Sequence, residues 1–122
     1  MKKIILGLVI YGSLAFSSDI PINVEKILND NNCRSCHNIV GPHKAPPFAG
    51  ISRRNLRWYG NNAKNVIIKS IKNGSYGKYP PFSDTQMPSF SNLDDNQLEI
   101  LANWILSLAN YTQGYGRGHR WH

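Results

Sequence analysis

Residues 33 to 37 read Cys-Arg-Ser-Cys-His, and they contain the only two cysteines of the 122-residue chain. Thiols at i and i+3 project from one turn, at the separation needed to add across the two vinyl groups of a haem. The residue after the second thiol then lies under the iron, where its imidazole can ligate. Three other uses of such a run compete: a redox-active dithiol, half of a zinc site, and coincidence. A dithiol of that kind sits in a strand–helix–strand context, and a zinc site needs further Cys or His at matching spacing. The sequence offers neither, so Cys33 and Cys36 are read as the attachment points of a single haem c and His37 as an axial ligand.

A sixth ligand separates an electron carrier from a gas-binding or catalytic haem. The chain has two methionines, Met1 and Met87. Met87 precedes a proline in an aperiodic, polar stretch rather than on an apolar helix face, which favours a thioether ligand over core filling. A His/Met iron has a raised potential, and ligand identity moves haem potentials over roughly 0.8 V. His43 lies too close along the chain to His37 to reach the other haem face easily. His119 and His122 stand in a glycine-rich tail; their i, i+3 spacing is a weak metal motif, and solvation is the better reading.

The elements that must hold these groups are legible in the apolar spacing. Val24, Ile27 and Leu28 fall at i, i+3 and i+4 and predict a helix within 21–32 that leads into the cysteines. Three prolines and a glycine between Ile39 and Phe48 predict a loop. Arg53 to Tyr59 offers a turn of helix. Gly60-Asn61-Asn62 breaks the chain and supplies a cap for a segment in which Ala63, Val66, Ile67 and Ile71 keep helical spacing up to Asn73-Gly74. Ser75 to Asn92 has three more prolines and no periodicity, a loop long enough in so small a domain to imply function. Asp94 and Gln97 form a capping-box pattern ahead of Leu98, Leu101, Ala102, Ile105, Leu108 and Ala109 on one face, widened by Ile100 and Trp104. No strand pattern and no internal repeat is present.

Length limits the chain to one domain and one core. Met1-Lys2-Lys3, an apolar run from Ile4 to Phe16, and small residues at Ala15 and Ser17 give the order of a secretory leader, with cleavage after Ser17. A membrane helix is the rival, but about 20 apolar residues are needed to span, and Asp19 and Pro21 come too early. The expected organisation is therefore a signal peptide at 1–17, a monohaem domain at 18–110, and a loose Gly/aromatic/basic tail at 111–122. Loss of Lys2 and Lys3 lowers the formal charge from +7 to +5. Export argues against nucleic acid as the partner of this basic surface and leaves an acidic protein, with no stable membrane span after cleavage. Lysines 44, 64, 69, 72 and 78 and arginines 34, 53, 54 and 57 are the available steering charges.

From about Ile22 to Ala109 the chain resembles the small bacterial class I cytochromes c. Four blocks carry the resemblance: Cys33 to His37; Pro46-Pro47-Phe48-Ala49-Gly50; Ile71-Lys72-Asn73-Gly74-Ser75; and Met87-Pro88 with the later Trp104-Ile105-Leu106-Ser107. The resemblance implies an all-α class I cytochrome c fold, with three to five helices wrapped around one covalent haem. It implies a soluble periplasmic one-electron carrier, not an enzyme, that serves oxidases, reductases or dehydrogenases. It also implies that a proline carbonyl, here Pro46, accepts from the ligand histidine Nδ1, and that the first and last helices pack together. Family members often place a tryptophan ahead of the methionine loop to bond a haem propionate. This chain has Lys78-Tyr79-Pro80 there, which leaves Tyr79 or Trp58 for the role. Two alternative functions differ in class: a sensor or peroxidase-type haem protein with a displaceable sixth ligand, and a cytochrome subunit of a larger oxidoreductase.

Overall fold

The computed structural model describes residues 20–111; the leader at 1–17 and the tail beyond Tyr111 lie outside the described residues. Four helices carry the fold: α1 Ile22–Asp30, α2 Phe48–Tyr59, α3 Ala63–Asn73 and α4 Asp95–Ser107. Val24, Ile27 and Leu28 of α1 are all buried, as their spacing requires, whereas Ile22 is 87 % exposed. After α1 the chain turns through Asn32 in the left-handed region at φ 55°, directly into a single 3-10 turn over Cys33–Ser35.

α2 begins five residues earlier than the basic-aromatic stretch indicates. Gly50 lowers helix propensity by about 1 kcal/mol relative to alanine, which hides this start from a propensity reading. The loop supplies what the local sequence lacks. Pro47 takes the N-cap position in an extended conformation, and the first two free amides, Phe48 N and Ala49 N, donate to Asn38 O (2.8 Å) and Ile39 O (3.0 Å). Gly60–Asn62 forms a 3-10 turn between α2 and α3. No side chain caps α3, contrary to the expectation for Asn62; its Oδ1 instead accepts from Asn65 Nδ2 at 3.1 Å. At α4 the expected capping box forms: Gln97 N donates to Asp94 Oδ1 (2.7 Å) and Asp94 N to Gln97 Oε1 (3.0 Å).

The long second loop contains one feature with no sequence signal. β1 (Ser75–Tyr76) and β2 (Gln86–Met87) pair antiparallel, Ser75 opposite Met87 and Tyr76 opposite Gln86. Two residues are too few to show an alternating pattern. Between them, Pro80–Phe82 makes a 3-10 turn.

α4 is the hub and packs against α1, α2 and α3. Leu98, Leu101, Ala102, Trp104 and Ile105 meet Val24, Ile27 and Leu28 of α1, Phe48 of α2 and Ile67 and Ile71 of α3 in one core. The first and last helices therefore touch as the resemblance implies. Ser52, fully buried on α2, ties the helices further by donating from Oγ to Leu106 O at 3.1 Å.

Candidate haem site

A cavity of about 340 Å³ opens between the helices and the two long loops. Apolar side chains make most of its wall, among them Ile51, Ile67, Ile71, Leu101 and Ile105. Cys33, Cys36, His37, Pro46 and Met87 all line it, so five residues expected to act together from the sequence share one space.

His37 is held on two sides. Its Nδ1 lies 2.6 Å from Pro46 O, and because a carbonyl can only accept, Nδ1 carries the proton and Nε2 keeps its lone pair for a metal. The ring stacks on Phe48 with centroids 5.1 Å apart, and Phe48 in turn meets Trp104 edge-on at 5.2 Å. The hub helix thus fixes the imidazole plane through one intervening ring. Burial pushes the imidazole pKa down, against the smaller upward pull of the Pro46 bond, so the ring stays in the neutral form that ligates.

Cys33 and Cys36 are free thiols half-buried at the cavity wall. The turn that presents them is closed by Cys36 N and His37 N, both donating to Cys33 O at 3.3 and 3.1 Å. Burial raises the Cys33 pKa, which keeps it protonated at neutral pH and argues against a thiolate redox pair.

Met87 enters the lining from β2. Its position depends on Gly74 at the end of α3, which has φ +89°; a Cβ there would stand 2.8 Å from Met87 O. Phe90 N donating to Ile71 O (3.0 Å) pins the chain beyond it. His43 is exposed and does not line the cavity.

The donor set fits a haem c: an apolar slot, two free thiols on one turn, an oriented imidazole and a thioether contributed by a different loop. Residues 22–109 match the family model described as cytochrome c. The chain belongs to the cytochrome c family. It is similar to cytochrome c6 of Cyanidium caldarium, 33 % identical over 85 residues that cover 65 % of this chain and 63 % of the relative. A second cytochrome c6, from Cyanidioschyzon merolae, is 28 % identical over 82 residues, covering 64 % and 65 %. The chain therefore matches just under two thirds of the length of these two relatives. The crystal structure of Nitrosomonas europaea cytochrome c552 is similar at a TM-score of 0.59 and 27 % identity, covering 69 % of this chain and 98 % of that one. The class 1 cytochrome MtoD of Sideroxydans lithotrophicus shares the fold at a TM-score of 0.56 and 18 % identity, covering 70 % and 92 %. The helical class I fold and the covalently bound haem c of this cytochrome follow from these matches together with the Cys33–His37 motif.

In the polar corner of the cavity the sequence offers Tyr79, which lines it, but gives no signal for Asn55 or Ser70. Asn55, fully buried on α2, uses Nδ2 to reach Ile51 O (2.7 Å) and the Tyr79 hydroxyl (2.8 Å). Lys78 Nζ approaches Asn55 Oδ1 (3.3 Å) and Ser70 Oγ (3.4 Å). Arg54 is buried with its guanidinium 4.6 Å from the Trp58 ring, and Trp58 stacks on Tyr79 at 5.8 Å. Tyr79 lines the cavity, while Trp58 stands behind it at 41 % exposure. No spacing rule connects Asn55 on one helix, Ser70 on another and Lys78 in a loop.

Proposed function

We propose that the protein is a one-electron carrier whose haem c is joined through Cys33 and Cys36 and ligated by His37 and Met87. When bound, the haem supplies an iron that takes up and releases one electron. Every other task falls to the chain: Pro46 fixes the His37 tautomer, Phe48 and Trp104 hold its plane, and Gly74 with the β1–β2 pair brings Met87 to the cavity. The carrying observation is that an imidazole with its Nε2 free and a thioether line the same apolar cavity. Were His37 and Met87 both to hold the iron, no position would be left for a substrate, which favours electron transfer over gas sensing or peroxidase chemistry.

Among the described residues no helix is long and apolar enough to cross a membrane. The leader pattern at 1–17 supports a periplasmic protein with its domain at 18–110 and an appended tail from 111. Its partners are redox proteins with acidic docking faces. The charges free to steer them are fewer than the sequence count implies. Arg34 pairs with Glu25 and Lys64 with Glu99, Arg54 is buried and Lys78 is half-buried. Lys44, Lys69, Lys72, Arg53 and Arg57 remain exposed.

Absorption spectra of the holoprotein in both redox states, with and without carbon monoxide, test the reading. A covalent low-spin haem with the weak far-red methionine–iron band, unchanged by carbon monoxide, is the expected result. A high-spin or carbon monoxide-responsive spectrum would move the protein to the sensor or catalytic class.

A further inference from the structure

All seven acidic residues of the chain lie outside 31–83, whereas the steering lysines and arginines all lie inside it. α2 and α3 pack against each other within that span, so the pair carries cations and no carboxylate of its own. Apolar exposure is concentrated there too. Of the five large hydrophobic side chains exposed among the described residues, Leu56, Trp58 and Tyr59 all fall within 56–59. A single exposed apolar side chain is ordinary on a protein surface, but three around one helical turn are not. The rings are held in place: Trp58 meets Tyr59 edge-on at 6.1 Å and packs against the Tyr79 ring and the Arg54 guanidinium. Arg53 is braced as well, donating from Nη1 to Ala109 O (3.2 Å) and Tyr111 O (3.4 Å). Those carbonyls are neutral, and among the described residues no carboxylate pairs with Arg53 or Arg57. Side chains already ordered lose little freedom on binding, and Trp, Tyr and Arg are the types that dominate interface energies.

Apolar anchors beside two arginines without carboxylate partners fit a protein with an apolar contact patch and acidic groups at its rim. We propose that the last two turns of α2 dock an acidic redox protein, with Leu56, Trp58 and Tyr59 as the anchors and Arg53 and Arg57 as the charges. This rests on the carrier reading and adds where the partner sits. The site is at the end of α2 remote from Phe48, the ring that stacks on His37. Trp58 stacks on Tyr79, which lines the cavity, so a protein seated there stands one ring behind the cavity wall. An anionic lipid surface would meet the same charges but has no use for a route to the haem. A second copy paired about a twofold axis would bring its own Arg53 and Arg57 against these, which like charge disfavours. One electron crosses in each encounter, the partner's centre being oxidised as the haem iron is reduced or the reverse, and no bond forms or breaks.

The test titrates the isotope-labelled ferrous holoprotein with oxidised flavodoxin, an acidic redox protein, and follows the amide shifts. The perturbed amides should cluster at 53–62. A cluster at 33–45, shifts spread over the whole surface, or no shift at any ratio overturns the proposal and leaves the carrier reading standing. Stopped-flow reduction of the ferric holoprotein by flavodoxin hydroquinone gives the rates: the anionic flavin loses one electron to become the neutral semiquinone as ferric haem becomes ferrous. At about 0.1 M ionic strength, Arg57→Glu should slow the second-order reaction roughly tenfold and flatten its salt dependence. Leu56→Gln should raise the dissociation constant roughly tenfold with the salt dependence kept. Lys44→Glu, in the loop before α2, should change either quantity by less than about twofold. An Arg57→Glu rate equal to that of the wild type overturns the proposal. Three further results, all without flavodoxin, overturn it in favour of another occupant. Self-association that shifts 53–62 points to a second copy, and flotation with phosphatidylglycerol vesicles that is lost in Leu56→Gln points to a membrane. Shifts at 53–62 in Trp121→Ser point to the chain's own last residues. A wild type without covalent low-spin haem overturns the carrier reading, and the proposal with it.

Discussion

Met87 is the residue on which the difference between a carrier and an open haem turns. Met87→Ala removes the thioether without touching the helices, so the far-red band should vanish and the ferrous protein should bind carbon monoxide. Covalent haem at Cys33 and Cys36 should be retained, as a denaturing gel stained for haem would show. Tyr79 gives a second expectation, in pH rather than ligation. Burial raises its pKa, outweighing the opposing Asn55 bond and Arg54 charge. The folded state therefore holds this proton more tightly than the unfolded state, and the contribution is fully present below the unfolded value of about 10. It is lost as pH rises through the folded value. Thermal melts across this range should show an alkaline loss of stability that is smaller in Tyr79→Phe. The motif residues were legible because porphyrin dimensions fix their spacing. Asn55, Ser70 and Lys78 were not, since three residues on three elements meet only once the chain has folded.

The elements show how unequal the positioning devices are. At the end of α3, Gly74→Ala both forces a side chain into φ +89° and drives a Cβ against the Met87 carbonyl. A cost of about 1–3 kcal/mol is expected, with weakening of the far-red band as the specific sign that the ligand segment has moved. Trp104→Ala should cost about 3–5 kcal/mol in chemical denaturation, because it empties the hub of the core and leaves Phe48, and through it His37, without support. Asp94→Ala removes a cap whose loss costs about 1 kcal/mol and should leave the spectrum unaltered. α1, α3 and α4 could be read from the sequence because each buries one face with strict helical spacing. The start of α2 could not, because the atoms that satisfy its first amides, Asn38 O and Ile39 O, belong to a loop. The β1–β2 pair was invisible for want of length.

As a whole molecule, the chain packs its helices into one core that forms part of the cavity wall. With haem absent, a domain of this size buries too little apolar surface to be comfortably stable. The apoprotein, obtained as Cys33→Ser/Cys36→Ser, should show little helix by circular dichroism and no cooperative melt. The exposed Lys44, Arg53, Arg57, Lys69 and Lys72 on a net basic surface predict a partner association that slows steeply as salt rises; measured in a stopped-flow mixer, a flat dependence would remove steering from the account. The two-rung pairing between Ser75–Tyr76 and Gln86–Met87 bears on motion. The backbone of 77–85 bonds to itself, through Phe82 N to Tyr79 O, Ser83 N to Pro80 O and Thr85 N to Phe82 O, so it can open while the helices stay packed once the Lys78 and Tyr79 side chains release Asn55 and Ser70. Its amides should exchange with deuterium through a sub-global opening, whereas those of α4 wait for complete unfolding. Lys78 lies near one end of that stretch and Met87 just beyond the other, so a bond that restrains either of them slows exchange across it.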